Sequence, residues 1–153
     1  MNSLAATALV LALVGVATVL GLIWRSRQGR ISRVSGTVLT PADVATDHAF
    51  GAHATLVQFS TPWCARCPGT GRLLGRVADA RSGVVHLDVD VSERADIISR
   101  FSVLQTPTTL ILDGAGRVQA RVAGVPSAAD IHRHLDEIAE APAKSPTESS
   151  VHV

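Results

Sequence analysis

The sequence has few cysteines and little net charge, and both shortages exclude classes of protein. Its 153 residues contain two cysteines, too few for a small secreted scaffold held together by disulfides. The formal net charge is +1 at pH 7, so the chain has no broad basic field with which to bind nucleic acid. Its length allows one folded domain and little more.

A run of 21 residues, Leu4–Trp24, contains no charged side chain. At about 1.5 Å of rise per residue, a helix of this length crosses a hydrocarbon core of about 30 Å. A secretory signal would have a basic start, a shorter apolar run and a small-residue cleavage site, and this run has none of these features. We therefore expect a retained membrane helix, with a cleaved signal and a buried helix as alternatives, and we expect Trp24 at the bilayer interface.

Four arginines follow this run, at positions 25, 27, 30 and 33, and no basic residue precedes it. Basic residues close to a membrane span are retained on the cytoplasmic side. The count therefore predicts a single-pass protein of the cell membrane whose domain faces the cytoplasm, with extracytoplasmic placement as the alternative. A stop-transfer flank explains these arginines, although binding to anionic headgroups is a second interpretation.

The composition divides the chain into three parts. Residues 1–33 are expected to form the membrane anchor and its basic flank. The rest has 10 basic and 13 acidic residues, so the domain itself is mildly acidic. Residues 142–153 combine Pro, Ser, Thr and Glu with almost no apolar content, which is typical of a disordered tail. Residues 34–141 remain as the folded domain.

The first half of this domain is expected to read strand, helix, strand. Ala54–Ser60 is a short apolar run rich in strand formers and predicts a buried strand. From Cys67 onward, apolar residues recur at helical spacing until Ser82 and Gly83 end the helix. Val84–Asp90 alternates apolar and polar residues and predicts the second strand, parallel to the first.

The second half is expected to contain a helix, a hairpin and a last helix. Ser92 is the expected N-cap of the first helix, and Thr108–Asp113 with Arg117–Ala123 predicts a hairpin across a glycine-rich turn. Apolar residues at helical spacing after Ser127 predict the last helix. The result is an α/β fold, a mixed central sheet with helices on both faces, to which Thr37–Leu39 could add an edge strand.

The two cysteines lie three residues apart, in Trp63-Cys64-Ala65-Arg66-Cys67-Pro68, between the first strand and its helix. A helix N-terminus presents free N–H groups and a partial positive charge, which favours a thiolate at Cys64. Arg66 adds a full positive charge between the two cysteines. This pattern predicts thiol–disulfide exchange, with Cys64 as the attacking nucleophile and Cys67 as the resolving thiol.

Three other interpretations of the pair were weighed. A c-type haem would require His directly after the second cysteine, where the sequence has Pro68. A structural zinc site needs two further ligands, and the histidines show no paired spacing. A purely structural disulfide across so short a loop would constrain the unfolded chain very little. We therefore expect no cofactor and no metal.

Over about Val34–Ala141 the sequence resembles the thioredoxin family, in particular its membrane-anchored bacterial members. The resemblance rests on the strand before Trp63-Cys64-Ala65-Arg66-Cys67, on Leu87–Asp90, on Thr106-Pro107-Thr108 and on Gly124, which match in order and spacing. It implies a thioredoxin-like fold in which Pro107 is a cis-proline opposite the active-site disulfide. It also implies that Trp63 and the backbone of Thr106 contact an extended substrate segment.

The chain departs from the family pattern behind the second cysteine. Gln58 stands where thioredoxins usually have a buried Asp that accepts the proton of the resolving cysteine, and an amide cannot accept a proton at neutral pH. His86 stands where the family often has a Lys. Gln58, His86 and Arg66 are therefore the candidates for tuning the pKa values of the site. The alternatives are that Gln58 is a hydrogen-bonded polar residue of the core and that His86 is a half-exposed strand residue.

These expectations predict a membrane-tethered thiol–disulfide oxidoreductase that acts through a mixed disulfide. Its expected partners are a protein or small-molecule disulfide substrate, an electron-donor or electron-acceptor redox partner, and the membrane through Leu4–Trp24, with no nucleic acid. The alternative is a thioredoxin-like binding or adaptor module whose cysteines take no part in catalysis, which the loss of the buried Asp at position 58 motivates.

Overall fold

The computed structural model describes residues 3–27, 31–33 and 36–140. Its elements in chain order are helix α1 (Ser3–Arg27), strand β1 (Ile31–Arg33), a 3₁₀ helix (Pro41–Val44), β2 (Ala54–Ser60), α2 (Cys67–Asp79), β3 (Val84–Asp90), α3 (Ala95–Arg100), β4 (Thr108–Asp113), β5 (Val118–Ala123) and α4 (Ala128–Glu140). The expected tail, 142–153, lies outside the described residues.

The five strands form one mixed sheet in the order β1-β5-β4-β2-β3. Strands β2 and β3 are parallel, because α2 connects them, and every other neighbouring pair is antiparallel. The predicted strand–helix–strand unit and the predicted hairpin are both confirmed.

Alternation along the strands gives the sheet two apolar faces. On one face Leu56 and Ile111 pack with Leu74 of α2 and Ile131 of α4. The other face carries Val57 and Phe59 and is covered by α3. Burial of a side chain such as Leu74 contributes about 2 kcal/mol, so these two cores hold the helices on opposite faces. The chain thus has the α/β architecture, helices on both faces of a mixed sheet, that the sequence predicts.

The edge of the sheet differs from the expectation. Val38 forms only an isolated bridge to Arg117, so Thr37–Leu39 is not a full strand. The outer strand is β1, in which Ile31 pairs with Val122 of β5 and Arg33 pairs with Ala120. The sheet therefore begins in the segment that follows α1, within the basic flank.

The expected N-cap of α3 is wrong. The helix begins at Ala95 with Arg94 at the cap position. The backbone N–H and the hydroxyl of Ser92 both donate to the Asp90 carboxylate, so Ser92 closes a turn at the end of β3.

Helix α1 contains one segment, Ala5–Ile23, that is long and apolar enough to cross a membrane. None of this window is buried against the rest of the structure, and its large apolar side chains are exposed. A signal sequence near an N-terminus, or a buried core helix, can also meet these criteria of length and hydropathy.

Candidate active site

Cys64 and Cys67 are bonded to each other in the loop between β2 and α2. Their Cα atoms are 5.4 Å apart, an ordinary separation for a disulfide. Cys67 is the first residue of α2 and is only 4% exposed, whereas Cys64 is partly exposed. An attacking sulfur can therefore approach Cys64 more easily than Cys67.

The start of α2 determines this arrangement. Arg66 is the N-cap residue, and Pro68 follows Cys67 in the first turn, where the missing N–H of proline costs little. The Cys67 N–H donates to the Cys64 carbonyl at 3.1 Å, which closes the turn between the two cysteines. Cys64 thus lies just before the helix, close to the partial positive charge of its N-terminus, and the Arg66 side chain is exposed.

The disulfide argues against the alternative of a structural zinc site at this pair, because two sulfurs bonded to each other are not thiolate ligands. Within the described ranges, no group of three His, Cys, Asp or Glu side chains is placed to hold a metal ion.

Thr106 and Pro107 lie at the same end of the sheet as the disulfide. The peptide bond between them is cis. The hydroxyl oxygens of Thr61 and Thr106 are 3.4 Å apart, and the Gly124 N–H donates to the Pro107 carbonyl at 2.8 Å. These contacts join the cysteine loop, the Pro107 loop and the end of β5 in one surface.

Exposed apolar side chains flank the disulfide. Trp63, directly before Cys64, is 75% exposed. Leu104, three residues before Pro107, is 93% exposed, and Val125, directly after Gly124, is 42% exposed. Sequence reasoning anticipated Trp63 but missed the other two, since nothing in the sequence distinguishes an exposed leucine from a core residue.

Gln58 lies behind Cys67 in the interior of the sheet. It is 0% exposed, and its Nε2 donates to the Cys67 carbonyl at 3.2 Å. Its Oε1 is buried and has no protein partner among the described residues. A buried amide without its second partner is costly, so this oxygen marks a place where a polar group or a water molecule is needed.

His86 and Asp88 lie on the same face of β3 and complete a polar cluster with Gln58. A Cβ atom built on Gly71 of α2 would lie 3.7 Å from Gln58 Oε1, 3.8 Å from His86 Cε1 and 3.9 Å from Asp88 Oδ2. All three groups therefore surround one point beneath the first turns of α2. Because residue 71 is a glycine, no side chain of α2 occupies this point.

Burial lowers the pKa of His86 below its usual range, and the Asp88 carboxylate opposes part of this shift. The imidazole is therefore neutral at pH 7, and its Nε2 is buried without a protein partner among the described residues. The Ser60 hydroxyl donates to Asp88 and links this carboxylate to the end of β2. Sequence reasoning missed Ser60 and Asp88, although the period-two alternation of β2 and β3 places both on the face of Gln58 and His86.

Comparisons with known proteins agree with this architecture. The family model described as Thioredoxin matches residues 41–137. Thioredoxin-1 of Caenorhabditis elegans is 26% identical over 65 residues, which cover 42% of this chain and 56% of that protein. Thioredoxin 1 of Nostoc sp. is 28% identical over 72 residues, which cover 46% of this chain and 67% of that protein.

A solved structure gives the same result. The thioredoxin of Trypanosoma brucei brucei superimposes with a TM-score of 0.51 at 25% identity, over 60% of this chain and 79% of that one. The region that the family model matches, residues 41–137, contains the β2–α2 unit with both cysteines, the Pro107 loop and most of α4. Because the family model covers more than half of the sequence, the chain belongs to the thioredoxin family.

Proposed function

We propose that this protein is a membrane-tethered thiol–disulfide oxidoreductase that exchanges electrons through Cys64 and Cys67. One observation carries the proposal: the two cysteines are bonded to each other at the start of α2, with Cys64 accessible and Cys67 buried. This asymmetry suits a pair in which one sulfur meets the substrate and the other releases it. Fold membership alone would not support this activity.

In the reducing direction the Cys64 thiolate attacks one sulfur of a substrate disulfide. The substrate S–S bond breaks, a mixed disulfide forms, and the leaving substrate thiolate takes a proton. Cys67 then loses its proton and attacks the Cys64 sulfur, which releases the second substrate thiolate and leaves the protein disulfide. Two electrons have passed to the substrate, and the reverse sequence oxidises a substrate dithiol.

Trp63, Thr106 and Pro107 are proposed to position the substrate. The contact between the Thr61 and Thr106 hydroxyls holds the Pro107 loop beside the cysteine loop. An extended segment carrying the substrate cysteine would pair with the Thr106 backbone, while the exposed Trp63 ring covers its apolar side chains.

Arg66, Gln58 and His86 are proposed to tune the site. The positive charge of Arg66 favours the Cys64 thiolate. Gln58 orients Cys67 by donating to its carbonyl, but its amide cannot take a proton. The neutral His86 imidazole can take a proton, and it lies in the polar cluster under Gly71, so we propose it as the acceptor for the Cys67 proton.

The tether is proposed to be α1, a retained single-pass helix of the cell membrane. The four arginines after Trp24 favour a domain in the cytoplasm, where thiols are kept reduced and the protein would act as a reductant. In this division, residues 1–33 are the anchor and flank, 34–141 the thioredoxin-like domain and 142–153 the tail, and the flank supplies β1 to the sheet.

Trapping of mixed disulfides tests the proposed activity. With Cys67→Ser, Cys64 still attacks but nothing resolves the product, so covalent partners should accumulate and should disappear on reduction. The matched control, Cys64→Ser, should trap none. The wild-type chain should also reduce insulin with dithiothreitol as electron donor. Equal amounts of adduct in the two variants, with no insulin reduction, would instead identify an adaptor module.

A further inference from the structure

The topology places the membrane attachment and the disulfide at the same end of the sheet. Strand β2 ends at Ser60, directly before the cysteine loop, and β4 begins at Thr108, which pairs with Phe59. Strand β5 ends at Ala123, which pairs with Thr108. Strand β1 is antiparallel to β5 and begins at Ile31, opposite Val122. The chain therefore enters the domain at the active-site end of the sheet, the end where β2 stops and β4 starts.

The connection between α1 and β1 is short. Helix α1 ends at Arg27 and β1 begins at Ile31, so four Cα–Cα steps separate them and can span at most about 14 Å. The apolar window ends at Ile23, and the four helical residues after it add about 6 Å. Ile31 therefore lies within about 20 Å of the edge of the hydrocarbon core, whatever the tilt of the domain.

The disulfide cannot lie far from this attachment. Strand β2 is the fourth strand counted from β1, and three strand spacings are about 14 Å. The opposite end of the sheet, where β4 ends and β5 begins, is about 20 Å further along strands of six residues. Of the two ends of the sheet, the one nearer to the membrane attachment carries the redox pair.

The surface at this end is apolar. Trp63, Leu104 and Val125 are the exposed large hydrophobic residues of the cysteine loop, the Pro107 loop and the turn after β5. Val125 follows Gly124, whose N–H donates to the Pro107 carbonyl, at the end of β5, the strand that pairs with β1. An apolar surface next to a cysteine pair fits a partner segment that presents Trp or Tyr side chains, which are enriched at the ends of membrane spans.

We infer that the substrate is a disulfide, or a pair of thiols, carried by an integral membrane protein within a few residues of its own membrane span. The inference rests on the proposed exchange activity and on the proposed anchor. The short connection holds Cys64 close to the bilayer, which raises its effective concentration toward juxtamembrane sulfurs and lowers it toward distant ones. The exchange step and its electron balance are those given above.

Two synthetic transmembrane peptides, incorporated with the full chain into phosphatidylcholine vesicles, test this inference. Both carry the same intrachain disulfide loop, placed about five residues from the span in the near peptide and about 25 residues from it in the far peptide. Dithiothreitol supplies electrons, and a soluble peptide with the same loop measures the intrinsic exchange rate. The wild-type chain should reduce the near peptide about tenfold faster than the far one.

A linker variant supplies the decisive comparison. Inserting about 20 Gly and Ser residues between Arg27 and Ile31 adds a mean reach of about 25 Å, so the near-to-far ratio should fall to about one to two. The rate on the soluble peptide should not change. A wild-type ratio near one, or a ratio that the linker leaves unaltered, overturns the inference. No exchange with the soluble peptide would instead refute the proposed activity, and recovery of the chain outside the vesicles would refute the proposed anchor.

The apolar surface is tested in the same vesicles. Leu104→Ser should slow reduction of the near peptide about threefold to tenfold, since burial of one large side chain is lost. Val38→Ser is the matched control, because Val38 is 52% exposed but bridges Arg117 at the opposite end of the sheet. Equal rates for the two variants would contradict the role of this surface.

Discussion

Gln58 shows how one side chain can alter the chemistry of a whole site. It is fully buried, donates to the Cys67 carbonyl and cannot take a proton from the Cys67 thiol. Position 58 therefore serves structure in this chain, and any proton acceptor must be another group. The acceptor proposed above, His86, belongs to the polar cluster that it forms with Gln58 and Asp88 around Gly71.

Gln58→Asp should restore a proton acceptor behind Cys67. We expect exchange at pH 7 to become roughly tenfold faster, because the introduced carboxylate can take the Cys67 proton. The free energy of unfolding should fall by about 1–3 kcal/mol, because the donation to the Cys67 carbonyl is lost. Burial raises the pKa of the new carboxyl above its unfolded value, so this loss should grow as the pH rises above about 4.

Gln58→Asn is the matched control, because Asn has the same size as Asp but does not titrate. It should lose comparable stability at all pH values without any gain in rate. Stopped-flow reduction of a soluble disulfide peptide and urea unfolding at pH 4 and pH 7 measure both effects. Equal exchange rates for the two variants would mean that proton transfer from Cys67 does not limit the reaction.

His86 should give the stability a dependence on pH. Burial holds its pKa below the usual value of 6.5 in the folded protein, so the unfolded chain takes up a proton first as the pH falls. The free energy of unfolding should therefore decrease as the pH drops through 6.5, and His86→Gln should remove this component. The imidazole should titrate by NMR below 6.5, and lower still in Asp88→Asn. A midpoint at or above 6.5 would contradict the burial of this ring.

At the scale of the element, Arg121 connects β5 to the loop that carries Pro107. Its guanidinium donates to the carbonyls of Phe101 and Ser102, which are left unpaired where α3 ends. The chain then continues through Val103 to Thr106. The arginine thus fixes the end of a short helix together with the start of the Pro107 loop, which we propose to position the substrate.

Arg121→Met should lower the free energy of unfolding by about 2 kcal/mol, because two charge-assisted hydrogen bonds disappear. Arg117→Met is the control, since Arg117 is half exposed and lies 3.8 Å from Asp113, an ion pair expected to contribute less than about 1 kcal/mol. Urea unfolding measures both losses, and amide hydrogen exchange at Val103 should accelerate only in Arg121→Met. Equal losses in the two variants would show that Arg121 does not stabilise the end of α3.

The elements predicted correctly from the sequence are those with a strong local signal. Strand β2 is an unbroken apolar run, and α2 repeats apolar residues at helical spacing. Strand β1 has no such signal, because three residues become a strand only through pairing with β5, some ninety positions away. The sequence predicts Ser92 as a helix cap because serine is common at that position. That Ser92 donates to the Asp90 carboxylate instead can be recognised only once the end of β3 is known.

The candidate site likewise contains residues that the sequence predicts and residues that only the fold reveals. The cysteine pair and the Thr106–Pro107 dipeptide are short motifs, and the sequence predicted their proximity through the family resemblance. Asp88 and Ser60 belong to the site only because the parallel register places β2 and β3 side by side on one face. Leu104 belongs to it because the folded chain leaves this leucine exposed.

At the scale of the whole molecule, the proposed tether would make the side of the membrane on which the domain lies determine the direction of the chemistry. A reducing compartment keeps Cys64 and Cys67 as thiols, whereas an oxidising one favours the disulfide. The four arginines after Trp24 predict the cytoplasmic side. Because β1 follows α1 closely, the proposed tether would keep the active-site end of the sheet near the membrane surface from which the chain emerges.

Thiol labelling in intact cells tests this orientation. With Cys67→Ser, Cys64 is the only cysteine, and after reduction a membrane-impermeant maleimide should label it only when the cells are permeabilised. A matched variant that combines Cys64→Ser and Cys67→Ser with Ser3→Cys should react in intact cells, because the N-terminus of α1 would lie on the other side. The opposite pattern would place the disulfide outside the cytoplasm. The charge of the flank would then not control insertion, and protein oxidation would become the expected direction of exchange.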